Sequence, residues 1–185
     1  GAAAFVIGRD DVKNALCRID RTLSFTTDTP DFWRPSGEAF PHHAGRFTGE
    51  PGYFHHMREA IKGILEIEKA SAKDFDHVVL HMPNAKFPKT IAKEFGFTEA
   101  QIQAGFIVPE IGNTYSACSP LGLTYVLEAA TKGERILLVS YGSGSGCDAF
   151  ALTMLKNGVT LSPDTRETQY VNYAEYLEHR HLIHQ

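Results

Sequence analysis

The sequence predicts an α/β fold, in which strands and helices alternate along the chain. Two apolar runs, at residues 76–80 and 135–140, have the length and content of strands buried on both faces. Between residues 52 and 70, apolar side chains recur every three or four positions with charges between them, which is typical of an amphipathic helix. A strand, a helix and another strand in succession indicate parallel, doubly wound pairing.

The overall composition is that of one globular domain and excludes several partners. The chain has 185 residues, 43% hydrophobic and 22% charged, with a formal net charge of -4. Its basic residues form no block, so nucleic acid is not predicted as a partner, and no apolar run approaches the roughly 20 residues of a membrane span. The three cysteines, which have wide spacing and no CxxC pair, fit reduced thiols in the cytoplasm; they are Cys17, Cys118 and Cys147.

The first quarter of the chain predicts two strands and a long irregular segment. Residues 3–7 form a short apolar run between glycines, and residues 16–27 alternate loosely before a Thr/Asp/Pro cluster; both patterns favour strands. Residues 28–51 have no regular pattern, but their aromatic side chains argue against disorder. The chain begins without methionine or a charged leader, as if a strand were entered midway. We therefore expect a mature fragment, a tagged form or one piece of a longer protein.

The remaining elements follow from helix signals and strand patterns. Residues 89–95 favour a helix ended by Gly96, and the pattern from Thr98 to Gln101 favours a capping box opening another. Residues 107–109 are predicted to be extended, and a helix is predicted from Ser119 to Gly133. Residues 148–155 are predicted to form a strand that pairs antiparallel with 135–140 across a glycine-rich loop. The tail after residue 170 is polar and aromatic, with no further assignment.

His81 is the first candidate for a functional residue, because it follows directly on the buried strand that ends at Leu80. Binding sites in open α/β sheets lie at such strand ends, and imidazole can act as a general base or as a donor to a developing oxyanion. A histidine that is satisfied structurally at a strand end is the alternative. Lys86 and Lys89, close behind, can bind phosphate as point charges or can simply be solvated at the start of a helix.

Three further loops carry candidate chemistry. Asn113 follows a glycine, where its amide can donate to a carbonyl oxygen or can simply stabilise a turn. Cys118 lies at a predicted helix start, which favours a thiolate, but it can equally be a small packing residue. The loop at residues 142–146 lacks the lysine and spacing of a P-loop; it is either a weak phosphate cradle or a tight turn that brings backbone amides near a substrate.

Two histidine pairs, at residues 42–43 and 55–56, raise the question of a metal. Neither belongs to an HExxH motif or has a carboxylate at matching spacing. A metal site is therefore not predicted.

Five separate segments, in order, resemble the C-terminal half of thiolase-superfamily condensing enzymes, and most closely the archaeal-type 3-hydroxy-3-methylglutaryl-CoA synthases. These segments are GAAAFVIG, TTDTPDFWRPSGEAFPHHAGRFTGEPGYF, HMPNAKFP, GNTYSACSPLGL and SYGSGSGCDAF. Because they span almost the whole chain and keep the family's order, the resemblance is far more specific than any one motif.

The resemblance implies a thiolase-like fold: the C-terminal half of a layered αβαβα architecture, with a mixed five-stranded sheet. It also implies that His81 assists acyl transfer and that Asn113 completes a cysteine–histidine–asparagine set. Lys86 matches a lysine that helps to bind coenzyme A, and Ser143 lies in a loop that lines the acyl pocket. On the same basis we expect Lys89, Tyr141 and Gly144 to contact the substrate.

The family's nucleophilic cysteine and catalytic glutamate belong to an N-terminal half that this sequence lacks, and Cys118 does not replace that cysteine. We expect residues 1–27 to be the end of that half, or a linker, and residues 28–185 to be the C-terminal half. The predicted function is therefore half of a composite active site for acyl-CoA condensation or its reverse. A non-catalytic subunit of a thiolase-like complex is the alternative.

The resemblance also predicts the molecules that this chain meets. Coenzyme A thioesters are expected as substrates, with no covalently bound cofactor. The expected partner is an N-terminal half, on a separate subunit or elsewhere in a longer chain, within an oligomer in the cytoplasm. Archaeal assemblies of this type suggest a thiolase and an OB-fold zinc protein as further companions.

Overall fold

The computed structural model describes residues 1–9, 13–29, 31–160 and 170–183, and it confirms the α/β class. The strands are β1 (Cys17–Thr26), β2 (Phe32–Trp33), β3 (His42–His43), β4 (His77–Leu80), β5 (Arg135–Gly142) and β6 (Gly146–Met154). The α-helices are α1 (Phe54–Glu68), α2 (Lys86–Phe95), α3 (Glu99–Gln103), α4 (Val108–Ile111), α5 (Cys118–Ala129) and α6 (Tyr173–His179). No helix among the described residues is long and apolar enough to cross a membrane.

The main sheet has four strands in the order β1-β6-β5-β4, and a two-stranded ribbon of β2 and β3 lies apart from it. Only β4 and β5 are parallel; β5 with β6 and β6 with β1 are antiparallel, the former as predicted across the glycine-rich loop. The predicted mixed sheet is therefore confirmed, with four described strands instead of five. β1 pairs with β6 along its length, while the division of the chain at residue 27 stays a prediction.

The strand predicted at residues 3–7 is wrong for this structure, where these residues have no regular secondary structure and join no ladder. Val6 and Ile7 are largely exposed. An apolar run becomes a strand only when its backbone groups pair with a neighbouring edge. Although β1 is an edge strand of the main sheet, residues 3–7 form no ladder with it.

One face of the sheet is closed by helix α1, as its apolar stripe predicts. Met57, Ile61 and Ile64 are fully buried against side chains from β4, β5 and β6, and Tyr53, just before the helix, joins the same cluster. Burial of this cluster is the largest stabilising contribution on this side.

The helices predicted after β4 are present, but α2 begins at Lys86 instead of Lys89, and α5 ends at Ala129 instead of Gly133. The Asn84 side chain accepts hydrogen bonds from the first amides of α2 at 2.9 and 3.0 Å, and Gly96 ends α2 in the left-handed region with φ 76°. The capping box at Thr98 and Gln101 is confirmed. The extended conformation predicted for residues 107–109 is wrong, because Val108–Ile111 forms a helical turn that accommodates Pro109 in its first positions.

The opposite face of the sheet is only partly covered. Helix α5 packs on β4 and β5 through Leu123, Val126 and Leu127. Beside it runs an open groove of 1510 Å³, whose floor includes Leu138, Phe150 and Leu152. Residues 4–9 line this groove together with β1 but do not fill it, so apolar surface of the sheet is left uncovered.

The C-terminal tail contains a short helix that the sequence did not predict. The Asn172 side chain accepts a 3.0 Å hydrogen bond from the Glu175 amide, and together they form a capping box that opens α6. None of the residues of α6 is buried.

Candidate active site at the carboxyl ends of β4 and β5

His81 extends the parallel ladder by one residue beyond β4, because its amide donates to the Val139 carbonyl at 2.9 Å. Its own carbonyl accepts a 2.8 Å hydrogen bond from the Tyr53 hydroxyl. Both contacts hold the backbone, so the position of the imidazole follows from the sheet and from α1. His81 therefore lies on a rigid element, as expected of a site residue.

The His81 ring is 9% exposed, and no hydrogen bond to either ring nitrogen is formed within the described residues. The rings of Tyr53 and Tyr141 lie 6.4 and 6.3 Å from it, centroid to centroid. Burial disfavours the charged form and lowers the pKa of His81 to about 4. The ring is therefore neutral near pH 7, with one nitrogen able to donate and the other able to accept.

Asp31 is a functional candidate that the sequence analysis missed. Its side chain is completely buried, and it accepts hydrogen bonds from the Tyr141 hydroxyl at 2.8 Å and from the Gly144 amide at 2.7 Å. Burial, followed by the Asp31 carboxylate, raises the pKa of the Tyr141 phenol well above its usual range. The motif TTDTPDFWRP contained this residue, but an aspartate in an irregular loop looks like a turn residue until its partners are known.

The turn from Ser143 to Ser145 lies next to Tyr141, which lies beside His81. Gly144 and Ser145 both have positive φ, at 94° and 84°, so the turn requires an unusual backbone conformation at two consecutive residues. The Ser143 side chain interacts with the Tyr141 phenol. Because the Gly144 amide already donates to Asp31, the phosphate-cradle interpretation of this turn loses one donor.

Asn113 lies in the loop before α5, behind Gly112, whose φ is 71°. Its side-chain oxygen accepts the Tyr115 amide at 2.8 Å, which is the turn-stabilising role considered from the sequence. The side-chain NH₂ group is exposed and forms no hydrogen bond with the described residues, so it is available to a carbonyl oxygen. The two roles considered for Asn113 are thus compatible.

Cys118 connects this loop to the strand that carries His81. The Met82 amide donates to the Cys118 sulfur at 3.2 Å, and the thiol lies 3.5 Å from the Met82 carbonyl. The thiol is 1% exposed, and burial raises its pKa above the usual value despite the backbone contact. These features favour a packing role over that of a nucleophile.

The two lysines lie on exposed parts of α2, beyond His81. Lys86 is the first residue of the helix, and the Lys89 ammonium lies 5.1 Å from the centre of the Phe106 ring. The structure thus brings His81, Tyr141, Ser143 and Gly144 together and places both lysines on the helix that follows.

Among the described residues, no group of three or more His, Cys, Asp or Glu side chains is arranged to hold a metal.

Comparison with protein families gives an independent assignment. The family model for the C terminal of 3-oxoacyl-[acyl-carrier-protein (ACP)] synthase III matches residues 65–154. Hydroxymethylglutaryl-CoA synthases of Methanosphaera stadtmanae and Methanosarcina mazei are 46% identical over 190 residues, which cover 99% of this chain. The same alignments cover 54% of those proteins, so the chain spans about half the length of the curated relatives it matches.

Solved structures show the same relationship at the level of the fold. A hydroxymethylglutaryl-CoA synthase complexed with CoA has a TM-score of 0.65 and 26% identity, over 76% of this chain and 40% of that one. The 3-oxoacyl-(acyl carrier protein) synthase III of Pseudomonas aeruginosa has a TM-score of 0.68 and 18% identity, over 83% and 48% of the two chains. These matches identify the chain as a C-terminal thiolase-like half from the condensing enzymes, similar in sequence to archaeal hydroxymethylglutaryl-CoA synthases.

Proposed function

We propose that this chain supplies the histidine and asparagine of a composite cysteine–histidine–asparagine active site, which condenses two acyl-CoA molecules or cleaves the product. The nucleophilic cysteine comes from the half that the curated relatives have in addition. The observation that carries the proposal is the state of His81: buried at a strand end, neutral, and with both ring nitrogens free of partners in the described chain.

The reaction proceeds in three chemical steps. The cysteine thiolate first attacks the thioester carbonyl of one acyl-CoA, and coenzyme A leaves as its thiol, so that the acyl group is carried on sulfur. The glutamate of the other half then removes an α-proton from that acyl group, and the resulting enolate attacks a carbonyl carbon of the second acyl-CoA, whose oxygen takes up a proton. Water finally hydrolyses the enzyme thioester, which releases the product and restores the cysteine thiol. Acetyl-CoA and acetoacetyl-CoA are the first substrates to test.

His81 and Asn113 act on the oxygen that gains negative charge in these steps. A donor aimed at a developing oxyanion contributes about 3 kcal/mol to the transition state. The neutral His81 ring donates from one nitrogen, and the free NH₂ group of Asn113 supplies a second donor. A positively charged imidazole is not required.

Lys86 and Lys89 bind the phosphates of coenzyme A, and Tyr141, Ser143 and Gly144 border the acyl pocket. Both lysines are exposed on α2, which suits contacts with the charged phosphates of the coenzyme A substrate, since phosphate contacts need no burial. The relatives that the chain matches are condensing enzymes, which does not favour the alternative of a non-catalytic subunit. A companion thiolase and an OB-fold zinc protein remain proposals from the family resemblance alone.

The open face beside α5 is the surface on which the other half packs. It is apolar, it flanks the strand ends that carry the site, and the hydroxyl of Ser119 on its rim is buried without a hydrogen-bond partner. A buried, unpaired hydroxyl is costly, so a partner group there would stabilise the assembly.

The test is turnover of acetyl-CoA and acetoacetyl-CoA by the intact protein that contains both halves. We expect His81→Gln to lower kcat by about 100-fold to 1000-fold, because one oxyanion donor is lost or misplaced. His42→Gln is the matched control, since this exposed histidine lies on the β2–β3 ribbon and pairs with Glu38. Equal turnover of wild type and His81→Gln would rule out the proposed role.

A further inference from the structure

A second buried histidine, His56, has no role in the mechanism described above. It lies on the third residue of α1 and is 0% exposed. The sequence showed it only as part of a histidine pair that does not hold a metal. In the structure both of its ring nitrogens have partners, in contrast to His81.

The contacts of His56 define which nitrogen carries the proton. Nδ1 lies 2.6 Å from the Gly52 carbonyl oxygen and 3.1 Å from that of Pro51. Carbonyl oxygens only accept, so Nδ1 is a donor, and in the singly protonated ring Nε2 is then the acceptor. The group opposite Nε2, at 2.9 Å, is the Thr27 hydroxyl, which therefore donates to the ring.

From Thr27 the hydrogen bonds continue to the turn after β5. With its proton directed at His56, the Thr27 oxygen accepts from the Thr29 hydroxyl at 2.7 Å. The Thr29 amide donates to the Ser145 side-chain oxygen at 3.2 Å, and the Ser145 hydroxyl donates back to the Thr29 carbonyl. The Ser145 carbonyl also accepts the Thr27 amide at 3.3 Å.

This network stabilises the turn at Ser145, whose backbone conformation is unfavourable. Ser145 has φ 84°, which is unfavourable for a residue with a side chain, and its side chain is 1% exposed. The adjacent Gly144 is tied to Asp31, and Tyr141 at the other end of the turn lies 5.6 Å from the His56 ring, centroid to centroid. The turn is thus fixed from two sides.

We propose that His56 is a positioning residue for the proposed condensation, acting through Thr27, Thr29 and Ser145 on the turn that borders the acyl pocket. It does not touch the substrate. Its accepting nitrogen orients the Thr27 hydroxyl, and the oriented hydroxyls keep Ser143 and Tyr141 in place beside His81. This proposal rests on the proposed function, but its geometric part can be tested without turnover.

The test compares three variants in the intact protein. His56→Leu removes both ring contacts. His56→Gln carries an amide oxygen that can replace Nε2 as the acceptor for Thr27. The neighbouring His55→Gln is the matched control, because His55 contacts the Phe25 and His56 rings and forms no hydrogen bond within the described chain.

The first measurement is hydrogen–deuterium exchange of peptides covering residues 141–146. We expect faster exchange in His56→Leu, exchange near the wild-type rate in His56→Gln, and no change in His55→Gln. The second is turnover with acetyl-CoA and acetoacetyl-CoA. We expect kcat to fall by about 10-fold to 100-fold in His56→Leu with KM nearly unchanged, since small displacements of site groups have effects of this size, and to recover in part in His56→Gln.

The two measurements separate the possible failures. Unchanged exchange at residues 141–146 in folded His56→Leu would overturn the positioning role, whether or not the protein turns over. If His56→Leu does not fold, Thr29→Val is measured instead. Exchange at the wild-type rate at residues 141–146 of that variant would then overturn the positioning role. Absence of turnover in wild type, combined with the expected exchange pattern, would refute the proposed function and leave the network intact.

Discussion

The two faces of the main sheet differ in how completely the chain covers them. On the closed face, α1 seals Ile61 and its neighbours so that no solvent reaches them. On the open face, α5 covers β4 and β5 but leaves the groove over Phe150 and Leu152. The difference supports the proposal that the open face receives a second unit, whereas the closed face is covered by this chain alone.

The candidate site lies where these two faces meet at the carboxyl ends of the strands. His81 contacts Tyr53 and Tyr141 from the closed side, whereas Cys118 on α5 binds the next residue, Met82, from the open side. A composite active site requires one side that this chain holds rigidly and another side that a partner can reach, which the closed and open faces provide. Its rigid components come from the closed face, and in the proposed function the nucleophilic cysteine approaches from the open one.

Truncation of a core residue on the closed face should have the largest effect on stability. Ile61→Ala removes buried methyl groups from a tightly packed cluster, and we expect it to lower the free energy of unfolding by about 2–5 kcal/mol. Denaturant unfolding of the intact protein measures this. The matched variant is Ile67→Ala, on the exposed side of the same helix. A change in its free energy of unfolding beyond about 0.5 kcal/mol would contradict the described packing of the closed face.

The pH dependence of stability should report the burial of His81 between the two faces. Its pKa is about 4 in the folded protein, below the usual value of 6.5, so the unfolded chain binds more protons between these values. Stability is therefore full above pH 6.5 and decreases as the pH falls toward 4, by an amount on the order of 3 kcal/mol from this group. The free energies of unfolding of wild type and His81→Gln, measured from pH 7 to pH 4, isolate the contribution of His81.

Parallel pH profiles for the two proteins would contradict the burial of His81. Other groups titrate over the same range, but they contribute equally to wild type and variant. Only the difference between the curves belongs to His81. We expect wild type to lose stability more steeply than the variant as the pH falls.

Replacement of Cys118 should have a smaller effect, because it breaks one link between the open-face helix and the His81 strand. In Cys118→Ala the buried Met82 amide loses its acceptor, and we expect a loss of about 1–3 kcal/mol in unfolding free energy. Cys118→Ser keeps an acceptor and should lose less. A loss of acyl transfer to the protein in Cys118→Ser, with normal stability, would show instead that this thiol is a nucleophile.

The sequence predicts this protein unevenly, and the reasons are physical. Local patterns of apolar residues predict helix α1, strand β5 and the position of His81 at the end of β4, because each depends on residues that are close together in the sequence. The role of Asp31 depends on partners more than 100 positions away, Tyr141 and Gly144, which no local pattern contains. The run at residues 3–7 has the composition of a strand, but composition does not determine pairing, and the run lines the same groove as edge strand β1 without forming a ladder with it.

The most direct test of the composite site is photo-crosslinking from the open face of the intact protein. A photoreactive amino acid at Phe150 should crosslink to the half that the curated relatives have in addition, while the same group at Ile67, on the exposed side of α1, should not. Peptide mapping by mass spectrometry identifies the attached segments. A composite site predicts crosslinks from position 150 to that other half. The absence of crosslinks from position 150, as from position 67, would contradict the composite site.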